Sequence, residues 1–121
     1  MRRTIVALAA ALSIGAAPSA WAHALLDHAT PAVGSTVPTA PASLTLWFTE
    51  NLKPSLSSVI VTDQAGQRVD LGSAQVPQDQ PAELQVGLKP LPPGTYSVRW
   101  HVVSVDTDPS DGRFTFEVAG R

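Results

Sequence analysis

Apolar and polar residues alternate with a period of two through much of the chain after residue 24. The clearest example is residues 95–105, and the same alternation occurs at residues 44–49 and 113–118. Successive side chains of a β-strand point to opposite faces of a sheet, so this pattern predicts half-buried strands. In the longest segment the inward face is predicted to carry Tyr96, Val98, Trp100 and Val102, with Ser97, Arg99, His101 and Val103 on the other face.

Four further segments have the composition of short strands. Residues 57–62, which end in four β-branched side chains, run into a turn at residues 63–66, and the chain then returns, which predicts a hairpin. Eleven prolines and eight glycines disfavour long helices. The pattern therefore predicts an all-β domain, a seven-stranded antiparallel β-sandwich, with a small open barrel as the alternative. The four additional strands are expected at residues 25–29, 57–62, 67–71 and 84–88.

The first 22 residues have the features of a secretory signal peptide. Two arginines precede an almost continuously apolar run at residues 4–17, and Ala20-Trp21-Ala22 fits the small-residue cleavage pattern. A transmembrane helix needs about 20 apolar residues, and Pro18 ends the run too early. We therefore expect a cleaved leader at residues 1–22 and one domain at residues 23–121 that is not embedded in a membrane.

Composition excludes several classes of protein. Without the leader the chain carries six basic and ten acidic side chains, a formal charge of −4, and no clustered basic face for nucleic acid. The absence of cysteine excludes disulfides and lipidation at a mature N-terminal cysteine. No nucleophile elbow, His-Glu-x-x-His sequence or phosphate-binding glycine loop occurs, which argues against a hydrolase.

His23 would become the first residue after cleavage at Ala22. Its α-amino group, which can release a proton near neutral pH, and its imidazole would then form a two-nitrogen chelate for a borderline metal such as Cu(II). The alternative is that His23 is simply the residue that the peptidase leaves behind. For His28 and His101, a surface or core-edge position is the more typical role, and strand parity predicts that His101 faces solvent.

An acidic segment, residues 104–112, contains Asp106, Asp108 and Asp111. Alternating aspartates are part of a calcium-loop pattern, but the glycine, the closing glutamate and the flanking helices of an EF-hand are missing. An Asx-rich turn capped by its own side chains explains the segment equally well.

Several ordered blocks of the chain resemble the CopC family of periplasmic copper-resistance proteins, and together they cover essentially the whole mature domain. Among them are Ala-His-Ala-Leu-Leu at the mature N-terminus and Trp-His-Val-Val-Ser-Val-Asp before the last strand. The blocks are residues 22–26, 30–35, 41–50, 92–96, 100–106 and 112–118.

The resemblance implies an immunoglobulin-like Greek-key β-sandwich that binds Cu(II). The mature N-terminal histidine maps onto His23, the loop aspartate onto Asp106, and a carboxylate near the site onto Glu50. Where the family usually has a histidine two residues after that aspartate, this chain has Asp108. Imidazole is the better Cu(II) donor, so we expect weaker binding with Asp108 as an oxygen ligand; the competing hypothesis is loss of tight binding. Met1 is the only methionine, which argues against a Cu(I) thioether site.

The resemblance implies a periplasmic, monomeric, non-enzymatic carrier or buffer in copper homeostasis or resistance that hands copper to an inner-membrane copper transport protein. A second hypothesis is an interaction module that docks on such a transporter with weak or no copper binding of its own. A third is a copper oxygenase, which would require His28 or His101 to reach the metal and is disfavoured by the small size of the chain.

Overall fold

The computed structural model describes residues 23–120, so the leader expected at residues 1–22 lies outside the described residues. Within residues 23–120 the structure is all-β apart from one short 3-10 turn, Pro54–Leu56. In this part of the chain no helix is long and apolar enough to cross a membrane. The strands are β1 (Leu26–Thr30), β2 (Thr36–Val37), β3 (Ser43–Phe48), β4 (Ser58–Thr62), β5 (Glu83–Gly87), β6 (Gly94–Val103) and β7 (Pro109–Val118).

The strands form two separate sheets, which confirms the predicted β-sandwich over the barrel. One sheet has the order β1-β3-β5 and the other β2-β7-β6-β4. Between β1 and β6 each connection crosses from one sheet to the other, and only β6 and β7 follow each other within a sheet. The longest ladder joins these two strands in antiparallel register from Gly94–Val118 to Val103–Pro109.

The core lies between the sheets and uses the alternating positions that the sequence pattern predicts. Trp100 packs edge-on to Phe48, with ring centroids 6.0 Å apart, and tilts against Phe114 at 6.2 Å. Burial of each large apolar side chain stabilises the fold by roughly 1.5–3 kcal/mol. On the inward faces of β3, β6 and β7 the buried residues are Leu44, Leu46, Phe48, Tyr96, Val98, Val102, Phe114, Phe116 and Val118.

Gly112 makes room for the indole of Trp100, its partner across the β6–β7 ladder. A Cβ atom at Gly112 would fall 2.3 Å from Cζ2 of Trp100, far inside van der Waals contact. The lack of a side chain at this position therefore lets the largest aromatic residue of β6 fold back over β7.

The predicted hairpin at residues 57–71 forms only at its turn. The carboxylate of Asp63 accepts the N–H groups of Ala65 and Gln67, and Thr62 pairs with Arg68 in a single bridge. The chain then crosses to the other sheet, where Asp70 pairs with Leu88. Residues 67–71 are therefore a connection between sheets, and the seventh strand is the short β2, which runs parallel to β7.

A buried carboxylate explains this crossing. Asp70 accepts hydrogen bonds from the N–H of Val61 (2.8 Å) and of Gly72 (2.9 Å) and from Nη2 of Arg68 (2.7 Å). Burial alone would raise the pKa of Asp70, but the hydrogen bonds from Arg68, Val61 and Gly72 and the guanidinium charge together lower it. The carboxylate of Asp70 thus accepts the hydrogen bond of the Val61 N–H, a backbone donor that a neighbouring strand would otherwise use.

Strand β7 begins at Pro109, four residues earlier than the predicted residue 113. Ser110 pairs with Val102, Asp111 with His101 and Gly112 with Trp100. The polar composition of residues 109–112 resembles a turn, but the ladder with β6 supplies their backbone hydrogen bonds. The predicted turn at residues 106–112 is consequently shorter and lies at residues 104–108.

Candidate metal centre

The segment that follows His23 is anchored to both sheets. Ala24 is fully buried, and its carbonyl oxygen accepts a hydrogen bond of 2.6 Å from the hydroxyl of Ser110. The N–H of Leu25 donates to Oγ1 of Thr49 at 2.9 Å, and its carbonyl accepts the N–H of Thr49 at 2.9 Å. The backbone next to the exposed His23 is therefore held between the end of β3 and the start of β7.

Glu50 lies on the loop after β3, which packs along the end of β6. The N–H of Lys53 donates to the carbonyl of Val103 at 2.8 Å, and the N–H of Val105 donates to the carbonyl of Asn51 at 3.0 Å. Leu52 is buried and bridges to Ser104. These bonds position the half-buried Glu50 beside the turn that carries the two candidate aspartates.

The turn at residues 104–108 is closed by Ser104. Its carbonyl accepts the N–H of Thr107 at 2.8 Å, its hydroxyl accepts the N–H of Asp108 at 3.3 Å, and its own N–H donates to the carbonyl of Asp108 at 3.1 Å. The hydrogen bonds that close the turn thus involve backbone groups and the hydroxyl of Ser104, and the side chains of Asp106 and Asp108 are exposed and half-buried, respectively.

Thr107, between the two aspartates, has a φ of 68°. A β-branched residue in the left-handed region is a genuine outlier, and such conformations concentrate at functional sites. The positive φ of Thr107 lets the chain reverse within the five residues 104–108, and Ser73, in another loop, shows the same kind of backbone with a φ of 56°.

The four candidate ligands lie on three segments that meet at one end of the sandwich. The hydrogen bonds of Leu25 with Thr49, of Val105 with Asn51 and of Ser110 with Ala24 join these segments directly. Across residues 23–120, however, no three His, Asp or Glu side chains form a group that could hold a metal ion as they stand. The fold brings the segments of His23, Glu50, Asp106 and Asp108 together without a preformed cluster of the side chains.

The chemistry of these residues suits a cation. Three carboxylates and one imidazole belong to the joined segments, and Lys53 is the basic residue on the loop of Glu50. Such an excess of negative charge raises the local concentration of cations. Nitrogen and oxygen donors together suit Cu(II).

The other two histidines are held by carboxylates on the outer faces of the sheets. The ring of His28 stacks on Trp47 with centroids 4.3 Å apart, and its Nδ1 lies 2.7 Å from Oδ2 of Asp27. Nδ1 of His101 lies 2.9 Å from Oδ1 of Asp111, and the His101 side chain is 53% exposed, as strand parity predicted. Asp111, the third carboxylate of the acidic segment, is thus a strand residue that faces His101.

Sequence patterns did not identify Thr49 and Ser110, which position the His23 segment. Their partners lie 24 and 86 residues away in the chain, and a single polar residue carries no signal of such a distant contact. The sequence pattern also gives no sign of the pairing of Asp111 with His101, because the polar composition around residue 111 predicts a turn.

Comparison with known proteins supports the resemblance. Residues 26–119 match the family model of the CopC domain. Protein YobA of Escherichia coli K12 is 39% identical over 102 residues, covering 84% of this chain and 82% of YobA. Copper resistance protein C of Xanthomonas campestris pv. juglandis is 38% identical over 121 residues, covering 95% of this chain and 92% of that protein.

The crystal structure of CopC from Methylosinus trichosporium OB3b has the same fold. The TM-score is 0.77 at 29% sequence identity, over 82% of this chain and 96% of that one. The fold and the family match together show that this chain belongs to the CopC family of copper-resistance proteins.

Proposed function

We propose that this protein is a periplasmic Cu(II)-binding carrier or buffer in copper homeostasis. The observation that carries the proposal is the double anchoring of the segment after His23. Its support is that Leu25 hydrogen-bonds to Thr49, next to Glu50, and that Ala24 hydrogen-bonds to Ser110, two residues after Asp108. Removal of a leader at residues 1–22 by a peptidase during export is part of this proposal.

In the proposed site His23 is the principal ligand. Its free α-amino group and imidazole bind Cu(II) as a chelate, and Asp106 and Asp108 add carboxylate oxygens, with Glu50 at the edge of the site. A carboxylate is a weaker Cu(II) donor than the histidine usual in the family at the position of Asp108. His23 is thus the only imidazole of the site, and affinity depends strongly on the cut after Ala22.

Exposure of the ligands suits reversible binding. His23 and Asp106 are exposed and Asp108 is half-buried, so copper can bind and leave without an opening motion of the fold. A carrier or buffer needs such exchange. We propose a monomeric, non-enzymatic protein that passes copper to an inner-membrane copper transport protein.

One observation favours a second function. Leu25 and Val105, on the same segments as the candidate ligands, have relative exposures of 58% and 51%. Exposed apolar side chains suit a surface that docks on a membrane copper transporter. The proposed site also lacks the second histidine usual in the family, so such an interaction module would itself bind copper weakly.

The test compares two preparations by Cu(II) titration against a competing chelator. One begins at His23 with a free α-amino group, and in the other that α-amino group is acetylated, which converts it into an amide and adds no new amine. We expect acetylation to weaken Cu(II) binding at least about tenfold, since it removes one nitrogen of the chelate. Equal affinities would contradict the N-terminal site, and H101Q is the matched control because His101 lies outside it.

A further inference from the structure

The outer face of the four-stranded sheet carries two arginines directly opposite each other. Arg99 of β6 is in register with Arg113 of β7, and both side chains are exposed. Residues opposite each other in an antiparallel pair have Cβ atoms about 4.5–5.5 Å apart, and like charges in this position repel. The arrangement is stable only to the extent that solvent or a negative group compensates the two guanidinium charges.

The described residues provide only part of that compensation. The ion pairs formed within residues 23–120 involve neither Arg99 nor Arg113. Asp111, one position along the same face, is a negative group beside the two arginines, but its carboxylate contacts Nδ1 of His101 and not a guanidinium. Glu117 lies two rows away, opposite Thr95, and accepts a hydrogen bond from Thr36.

The two guanidinium groups border a groove of about 510 Å³. Ser58 and His101, which pair across β4 and β6, line one end of the groove together with Asp111, the one acidic residue of its lining, and Ile60 lies beside Arg99 in register. A guanidinium presents a planar fork of N–H donors that matches the oxygens of a carboxylate or phosphate. Two such forks from adjacent strands, with a hydroxyl and an imidazole nearby, form a set of donors for one oxyanion.

We propose that this groove binds an oxyanion between Arg99 and Arg113. The charge of the rest of the domain supports this assignment. Elsewhere acidic side chains outnumber basic ones, and another arginine, Arg68, is already paired with Asp70. The oxyanion is either a free phosphate-type ion or a carboxylate on an acidic peptide, and the two share the same recognition chemistry. The site is independent of the proposed copper site.

The test is a titration followed by two-dimensional ¹H–¹⁵N NMR of the purified chain at constant ionic strength, balanced with chloride. One arm uses inorganic phosphate and the other a hexaglutamate peptide. We expect saturable shifts at the backbone amides of residues 99–101 and 111–113 and at the side-chain Nε–Hε groups of Arg99 and Arg113. Saturation by phosphate identifies a free ion as the ligand type, and saturation by the peptide alone identifies a carboxylate of a partner protein.

The variants R99Q and R113Q should each weaken binding about tenfold, because a hydrogen bond to a charged group is lost. K89Q removes the same charge from an exposed lysine outside the groove and should change binding less than about twofold. R99K keeps the charge but loses the fork, so it should bind more weakly than the wild-type chain and more tightly than R99Q. Unchanged thermal midpoints establish that the variants fold, and absence of saturable shifts with both probes, or equal weakening by K89Q, would overturn the proposal.

Discussion

The hydroxyl of Ser110 donates a 2.6 Å hydrogen bond to the carbonyl oxygen of Ala24, although the two residues are 86 positions apart. This bond ties Ala24, the residue after His23, to the start of β7, two residues beyond Asp108. It links the segment of the proposed N-terminal chelate to the strand that follows the acidic turn, so the proposed site depends on tertiary structure as well as on cleavage.

Loss of that bond should weaken both copper binding and the fold. We expect S110A to lower Cu(II) affinity about three- to tenfold, because the segment of His23 becomes less ordered, and to cost roughly 1 kcal/mol of unfolding free energy. Chelator competition and urea denaturation measure the two quantities. S55A, at an exposed serine of the 3-10 turn, is the matched control, and equal copper affinity of S110A and S55A would show that the tether does not position a ligand.

Replacing Asp108 by histidine should strengthen Cu(II) binding about tenfold or more, because an imidazole nitrogen replaces a carboxylate oxygen in the proposed site. Titration of the form that begins at His23 measures the change. D79H adds a histidine to an exposed loop and should leave the affinity of the site unchanged. If D108H binds copper no more tightly than the parent chain, residue 108 is not a ligand.

Asp70 should contribute stability that depends on pH. The folded state lowers the pKa of Asp70 from its ordinary value of 3.8, so its ionised form stabilises the fold above that value, and this contribution is lost as pH falls through the lowered pKa. We expect D70A to destabilise the protein by about 2–4 kcal/mol near neutral pH, since the buried N–H of Val61 and the half-buried N–H of Gly72 lose their acceptor. Urea denaturation from about pH 7 to pH 2 should show that the difference from wild type shrinks in acid, whereas the exposed-site control D79A should differ little at any pH.

Gly112→Ala should disturb the aromatic packing of β6 and β7. The new Cβ would lie 2.3 Å from the indole of Trp100, so either the ring or the strand must move. We expect a loss of about 1–3 kcal/mol in unfolding free energy and a shift of tryptophan fluorescence. At Gly120 an added Cβ would lie 3.7 Å from Pro93, an ordinary contact, and G120A should therefore unfold like the wild-type chain. A G112A variant as stable as G120A would show that Trp100 does not need the space.

The sequence alone predicted much of the fold because its signals are local. Alternation at residues 44–49 and 95–105 identified the buried faces of β3 and β6, and the same pattern placed His101 toward solvent. His23 was identified as a candidate ligand from the cleavage pattern beside it, without any structural information. The blocks of family resemblance are spread from residue 22 to residue 118, and the CopC family model matches residues 26–119.

Only the tertiary structure decided which distant segments meet. Residues 67–71 have the composition of a strand, but the carboxylate of Asp70 occupies the backbone donor of Val61 and the chain crosses to the other sheet. Residues 109–112 have the composition of a turn, but the ladder with β6 extends them into β7. Strand order and register bring Ala24 into contact with Ser110 and set Arg99 opposite Arg113. Both arise from packing of the whole sandwich, and neither produces a periodic pattern along the chain.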